Sequence, residues 1–274
     1  MRDLVRQLVP PLLLDIWRAN SAPIFASYEE AWAACHDGAY EEETLVKVVV
    51  EKNFAFRQAI QSAAVFDLAT LRTLIGVGLA NTGSTLRVLD FGGGGGYHYS
   101  LARAALGRDK RLSWNIVETA AMAREGQRIA TTELKFFDNI HEAQKDLGSV
   151  DLVLTSGALQ YCPDPIKFIK ALADLRARHI FITRTPFGDS GDSLVSVQTS
   201  RLSENGPGPL PPGFDDKRVT YPITLISRRA AEEVLSERYR IVFSIQEDKN
   251  AFTAANKTFD MYGYYCELKE PAEF

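Results

Sequence analysis

The sequence is poor in cysteine: only Cys35, Cys162 and Cys266 occur in 274 residues, widely separated and odd in number. That excludes a disulfide framework and suits reduced thiols in a cytoplasmic protein. No CxxC or HxxxH spacing is present, so no metal site is expected. Dense runs of Lys or Arg are missing and the formal net charge is −4, which removes the electrostatic footprint of a nucleic-acid or anionic-membrane partner. No apolar run is long enough for a membrane span. The nearest candidate, "MRDLVRQLVPPLLLDIWRAN" at residues 1–20, is broken by Pro10 and Pro11, carries charges on both sides and has no small-residue cleavage site. It reads as a packing helix with a break, not as a targeting segment.

Apolar residues make up 46% and charged residues 24% of the chain, the balance of a folded globular protein. The length suits one large α/β domain, or a domain with an added segment. Residues 1–82 show helical spacing throughout. Ser27 with Glu30 resembles a capping box that opens a helix carrying Trp32. "EETLVKVVVEKNFAFRQAIQS" has apolar spacing nearer 3.6 than 2, and "VFDLATLRTLIGVGLANTG" adds a helix ending near Asn81 and Gly83. The spacing predicts a helical extension or cap over 1–82, whose aromatic helices offer a surface for a homodimer.

From Gly83 onward the texture changes. The runs "LRVLDF", "LSWNIVE", "LKFFD", "VDLVLTS" and "HIFITRT" alternate with helical stretches, the signature of a doubly wound, mostly parallel sheet covered on both faces. A stretch rich in Gly, Pro, Ser and Asp from Pro186 to Tyr221 predicts a long loop, of the lid or binding kind. "SRRAAEEVLSERY" predicts a helix, and "RIVFSIQ" and "MYGYYCELK" a closing pair of strands around an irregular "EDKNAFTAANKTF" excursion. Residues 83–274 are therefore expected to form an α/β domain.

The most informative stretch is "RVLDFGGGGGYHYSLA", residues 87–102. A hydrophobic strand ending in Asp90 and turning through Gly92–Gly96 into a helix places bare backbone at the carboxyl edge of a parallel sheet, where such sheets bind ligands. Glycine permits positive φ and carries no Cβ to hold a ligand off, and the helix start offers unpaired N–H groups. The dinucleotide fingerprint G-x-G-x-x-G fails here, because its last position falls on Tyr97 or His98; a nicotinamide-dependent oxidoreductase is disfavoured on that ground. The looser D-x-G-x-G-x-G fits, with Asp90, Gly92, Gly94 and Gly96.

These residues resemble motif I of the class I S-adenosylmethionine-dependent methyltransferases. The resemblance extends over about residues 60–185. It implies a seven-stranded Rossmann-like methyltransferase sheet of order 3-2-1-4-5-7-6 and S-adenosylmethionine as cofactor, leaving S-adenosylhomocysteine as product. It implies that Glu118 takes the ribose hydroxyls, that Asp138 meets the adenine amino group, and that Ser156, Gly157, Ala158 and Leu159 line the methionine side. A narrower likeness is carried by "SYEEAWAACHDGAYEEETLVKVVVEKN", "RTPFGD" and "YPITLISRRAAEEVL", which resemble a little-characterised bacterial methyltransferase family, some of whose members are linked to surface polysaccharide synthesis. The five-glycine run and Tyr97-His98-Tyr99 depart from that family.

Methyl transfer is an in-line displacement, so a protein must chiefly align donor and acceptor and exclude water, with a base only where the acceptor loses a proton. His98, just past the glycine loop at a helix start, is the candidate base; the alternative is that it packs or caps the first turn. Tyr97 and Tyr99 either line the pocket or pack the same helix. Gln160 and Tyr161 follow the fourth strand at its carboxyl edge, where the acceptor would meet the methyl group, which makes Gln160 a binding candidate and Tyr161 a binding or catalytic one. Cys162 has no base partner and reads as inert. Arg184 points to the same edge, either to hold an acidic acceptor or in an ion pair with Asp189 or Asp192, and Tyr221 is expected to reach the pocket from the long loop. The function expected is O-methylation of a small molecule or sugar derivative, the alternative being a catalytically degenerate cofactor-binding protein with an assembly or regulatory role.

Overall fold

The computed structural model describes residues 23–35, 39–62, 66, 68–189 and 191–269. The packing helix expected over 1–20 lies outside them. Helix α1 (Tyr28–Ala33) is capped by Ser27, whose Oγ accepts from the Glu30 N–H; the Glu30 carboxylate reaches back to the Ala26 N–H at 3.1 Å. α2 (Glu43–Ser62) and α3 (Leu68–Ala80) follow, so the 3.6 spacing prevailed over the strand preference of the valines in α2.

Five strands then alternate with helices: β1 (Thr85–Phe91), α4 (Tyr97–Leu106), β2 (Arg111–Val117), α5 (Ala120–Gly126), β3 (Leu134–Phe137), α6 (Ile140–Leu147), β4 (Leu152–Ser156), α7 (Pro165–Asp174) and β5 (His179–Gly188). All neighbouring pairs in the order β3-β2-β1-β4-β5 are parallel. A hairpin of β6 (Leu194–Arg201) and β7 (Arg218–Ser227), helix α8 (Arg228–Ser236), and the strands β8 (Tyr239–Ala254) and β9 (Lys257–Leu268) complete the sheet. β9 runs antiparallel to β5 and β8 antiparallel to β9. Without the β6–β7 hairpin, the strand order is the expected 3-2-1-4-5-7-6.

Both faces are covered, which is why the strands read as continuous apolar runs. Val88, Trp114, Leu134 and Leu154 pack under α2, α3, α4 and α5 on one face. Leu89, Val117, Val153 and Ile180 pack under α6, α7 and α8 on the other. Leu45, Val46 and Val49 of α2 lie in the same cluster as the sheet, so α2 completes one layer of the sheet's core. No helix among the described residues is long and apolar enough to cross a membrane.

Two loop expectations are corrected. Pro186–Tyr221 is not one long loop: β5 continues to Gly188, and β6 and β7 pair in register from Leu194↔Leu225 to Arg201↔Arg218. The pairing of β4 with β5 ends at Ser156↔Thr183, and β7 joins β5 further along, at Phe187↔Ile226. This hangs the hairpin beyond the carboxyl end of β4. The "EDKNAFTAANKTF" stretch belongs mostly to β8 and β9, which pair out to Ala254↔Lys257 with bulges on the way; Ala255 and Asn256, with φ of +48° and +59°, make the turn.

Candidate functional site

The loops that follow β1 and β4 meet at the carboxyl edge, where the strand order turns in opposite directions. An added Cβ on Gly92 would lie 2.1 Å from the Ala158 Cβ. Gly92, Gly94 and Gly96 adopt φ of +73°, +55° and +92°, a region costly for any residue with a Cβ. The two glycines between them are needed for closeness. A Cβ on Gly93 would sit 2.5 Å from Asp90 Oδ2, and one on Gly95 would sit 2.6 Å from the Asn53 Cβ. The loop is thus pressed between a buried carboxylate below and α2 above, which accounts for five glycines in a row.

Glu118, just past β2, faces this loop. Its Oε1 accepts from the Gly94 N–H at 2.9 Å and its Oε2 from the Thr119 N–H at 3.1 Å. Burial pushes its carboxyl above the ordinary value, the two N–H donors pull it down, and the nearby Asp90 charge raises it again. Asp138 stands exposed past the end of β3, on the neighbouring strand.

Asp90 turns inward. It is fully buried; both its oxygens lie 3.1 Å from His98 Nδ1, and Oδ2 accepts from Trp114 Nε1 at 3.0 Å. The carboxylate expected at the cofactor is therefore committed beneath the loop, and the His98 ring, expected as a base, is held by it in the first turn of α4. Tyr99 is a second correction: its hydroxyl donates to Glu133 Oε2 at 3.0 Å and its ring packs edge-on to Trp114, which puts it at the amino end of β3, away from the ligand edge. Tyr97 packs its ring on Phe56 at 4.8 Å. Leu159 is fully buried in the core on the α6–α7 face, so its side chain does not line the loop.

Ser156 ends β4, and Gly157 follows with φ +67°. Ser156 Oγ, Gln160 Oε1 and Asn53 Oδ1 are buried without a hydrogen-bond partner among the described residues. Gln160 Nε2 donates to the Arg184 carbonyl at 3.2 Å, and the Arg184 N–H donates to Glu247 Oε1 at 2.6 Å. Arg184 itself has φ +52° at a bulge in β5, and its guanidinium lies over Gly157, 3.7 Å from where a Cβ would stand. Of the two partners expected for it from the sequence, Asp189 and Asp192, Asp189 is taken by Arg228 at 2.9 Å; Glu247, which accepts from its N–H, pairs with Arg72.

Above the loop sits a tyrosine cluster. Tyr40 lies 4.8 Å from Tyr161 and 4.6 Å from Tyr221, ring to ring. Tyr161 donates to Gln198 Oε1 at 3.1 Å and Tyr221 to Ser200 Oγ at 2.8 Å, which ties the cluster to β6. Burial pushes the phenols of Tyr40, Tyr161 and Tyr221 up, so none is poised to ionise near neutral pH. Burial and Glu118 push the Cys162 thiol up to about 12, in keeping with an inert cysteine.

Asn53, Tyr40, Tyr28 and Gln198 were missed in the sequence. Tyr28 donates to the Tyr161 carbonyl at 2.6 Å. A buried Asn amid the valines of "VVVEKNFAF" was the one local signal. An apolar groove of about 650 Å³ opens on the far side of α2, against Pro207–Pro212, and not over the glycine loop.

No protein-family profile matches the chain, and no curated protein matches it. Solved structures are similar in part. An S-adenosylmethionine-dependent methyltransferase from Clostridium acetobutylicum is 14% identical over 80% of this chain and 99% of its own, with a TM-score of 0.45. The CcbJ methyltransferase from Streptomyces caelestis is 11% identical over 75% of this chain and 98% of its own, at 0.44. An uncharacterized protein from Burkholderia thailandensis is 12% identical over 82% of this chain and 93% of its own, at 0.48. At such distances these likenesses say nothing about chemistry, which rests on the residues above.

Proposed function

We propose that this chain is an S-adenosylmethionine-dependent methyltransferase acting on a small molecule or sugar derivative at oxygen. The observation that carries the reading is the meeting of the β1 and β4 loops at the topological switch point, with Glu118 facing a five-glycine turn. Open α/β sheets bind their ligands at such a point. The residues present fit the cofactor: bare backbone at Gly92–Gly96, a carboxylate for vicinal ribose hydroxyls, and unpartnered oxygens on Asn53, Ser156 and Gln160. When bound, the cofactor supplies an electrophilic methyl group on a sulfonium.

The chain's own residues bind, orient and exclude water. Arg184, held by Glu247 and Gln160, faces the edge where an acceptor's acidic group would lie. The tyrosine cluster and the β6–β7 hairpin roof the edge. Among the described residues no base is placed by the geometry, because His98 is held by Asp90 and the hydroxyls of Tyr161 and Tyr221 face β6; this favours an acceptor that enters already ionised. The same observation supports a second reading, a cofactor-binding protein without turnover.

Calorimetric titration with S-adenosylhomocysteine, with NADH as control, tests the proposal. Micromolar binding of the former alone is expected. Binding of NADH with no response to S-adenosylhomocysteine would sink it, and binding without turnover on any acceptor tried would select the second reading.

A further inference from the structure

The amino edge of the sheet, opposite the glycine loop, carries a separate cleft of about 1340 Å³. Its walls come from β1, the starts of β4 and β5, the end of α3 and the β8–β9 pair. Arg87, Arg176, Arg178, Arg240 and Lys269 line it against two carboxylates, Asp151 and Glu267, in a chain whose net charge is −4. Asp151 is 3.9 Å from Arg87, and Glu267 pairs with Arg240. Arg178 donates to Thr82 Oγ1 at 2.9 Å. Arg176, exposed and with φ +53°, has no ion pair among the described residues.

A second, independent feature lies in the same cleft. His179 and Tyr265 are 7% and 4% exposed, and their rings stack at 5.4 Å. Both ring nitrogens of His179 and the hydroxyl of Tyr265 are buried without a hydrogen-bond partner among the described residues. Buried polar atoms are rarely left so. Burial holds the His179 imidazole below its ordinary value, so near neutral pH the ring offers one donor and one acceptor.

We propose that this cleft binds a small molecule bearing a diphosphate group, with His179 and Tyr265 hydrogen-bonding a phosphate oxygen and Arg176, Arg178 and Arg240 closing on the anion from the rim. Guanidinium groups match phosphate in geometry and charge. A single phosphate monoester carries about −1.5 to −2 charges at pH 7, which leaves a positive surplus in the cleft; a second phosphate balances it. The site is independent of the carboxyl-edge proposal.

The test is calorimetric titration of the full chain with pyrophosphate, alongside nitrogen-15 NMR of the imidazoles. The double variant Arg176→Asn/Arg178→Gln removes two exposed cations, and Asn tolerates the positive φ. Saturable binding is expected, weakened about tenfold or more in the variant, with the His179 ring nitrogens shifting along the same isotherm and S-adenosylhomocysteine binding equal in both proteins. Failure to saturate by about 10 mM, undiminished binding in the variant, or static His179 resonances at saturation would each overturn the proposal. Tighter binding of a DNA duplex than of pyrophosphate would overturn the small-molecule assignment.

Discussion

His98 Nδ1 stands 3.1 Å from both carboxylate oxygens of Asp90, in a buried pair beneath the glycine loop. The pair joins the end of β1 to the first turn of the helix that follows the loop. His98→Ala leaves Asp90 with Trp114 as its remaining side-chain donor. We expect a loss of about 1–3 kcal/mol in stability, the cost of an under-satisfied buried group, together with weaker S-adenosylhomocysteine binding. Urea unfolding and calorimetry on the same variant check it. Unchanged stability with lost turnover would instead mark His98 as a catalytic base.

Glu118 makes two separable predictions. Glu118→Ala should weaken S-adenosylhomocysteine at least about tenfold, the worth of one or two charge-assisted hydrogen bonds. The folded-state carboxyl is raised above its usual value, so its contribution to stability is full below the unfolded value and is lost as pH rises through the folded one. Glu118→Gln removes that titration. Relative to wild type, the Gln variant should therefore gain stability as pH is raised from acid to neutral, measured by urea midpoints across that range.

The sandwiching of the loop by α2 is tested at Gly95 and Asn53. Gly95→Ala places a Cβ 2.6 Å from the Asn53 Cβ, an overpacking expected to cost about 1–3 kcal/mol. Asn53→Gly, itself costing roughly a few tenths of a kcal/mol in helix propensity besides the bond to the Val49 carbonyl, should recover part of that loss in the double variant. A double-mutant cycle in urea reads the coupling; additive costs would mean that the loop and α2 yield independently.

Thiol labelling gives a further check. Burial pushes the thiols of Cys162 and Cys266 up to about 12, so at pH 8 roughly one in 10⁴ is a thiolate. Cys35, less buried, is raised as well, though no large shift is reached. Iodoacetamide at pH 8 should modify Cys35 first in the native protein and all three in urea, as read by intact mass.

The parallel sheet was legible because each strand announces itself locally. "LRVLDF" and "VDLVLTS" are short apolar runs bounded by turns, and burial on both faces makes such runs inevitable. The loop was legible for a different reason: five glycines after an acid open positive-φ conformations closed to other residues and leave no Cβ to hold a ligand off. The hairpin of β6 and β7 was not. Its strand "LVSVQTSR" is half polar and "RVTYPITLIS" holds Pro222, so composition pointed to a loop, while cross-strand pairing and the β5 overhang supplied the order.

Residue types in fixed local patterns were enough to specify the individual strands and the glycine turn, since these depend on hydrogen bonding and burial within a few residues; the order of the sheet and the place of Glu118 were expected only from the family resemblance, because they rest on pairings far apart in sequence. The direction of Asp90, the commitment of His98, the reversal of Tyr99 and the roof of Tyr40, Tyr161 and Tyr221 came only with the folded chain. All but the His98–Asp90 contact depend on a partner far away in sequence: Trp114 for Asp90, Glu133 for Tyr99, Gln198 for Tyr161. A polar side chain has several possible partners, and packing alone selects among them.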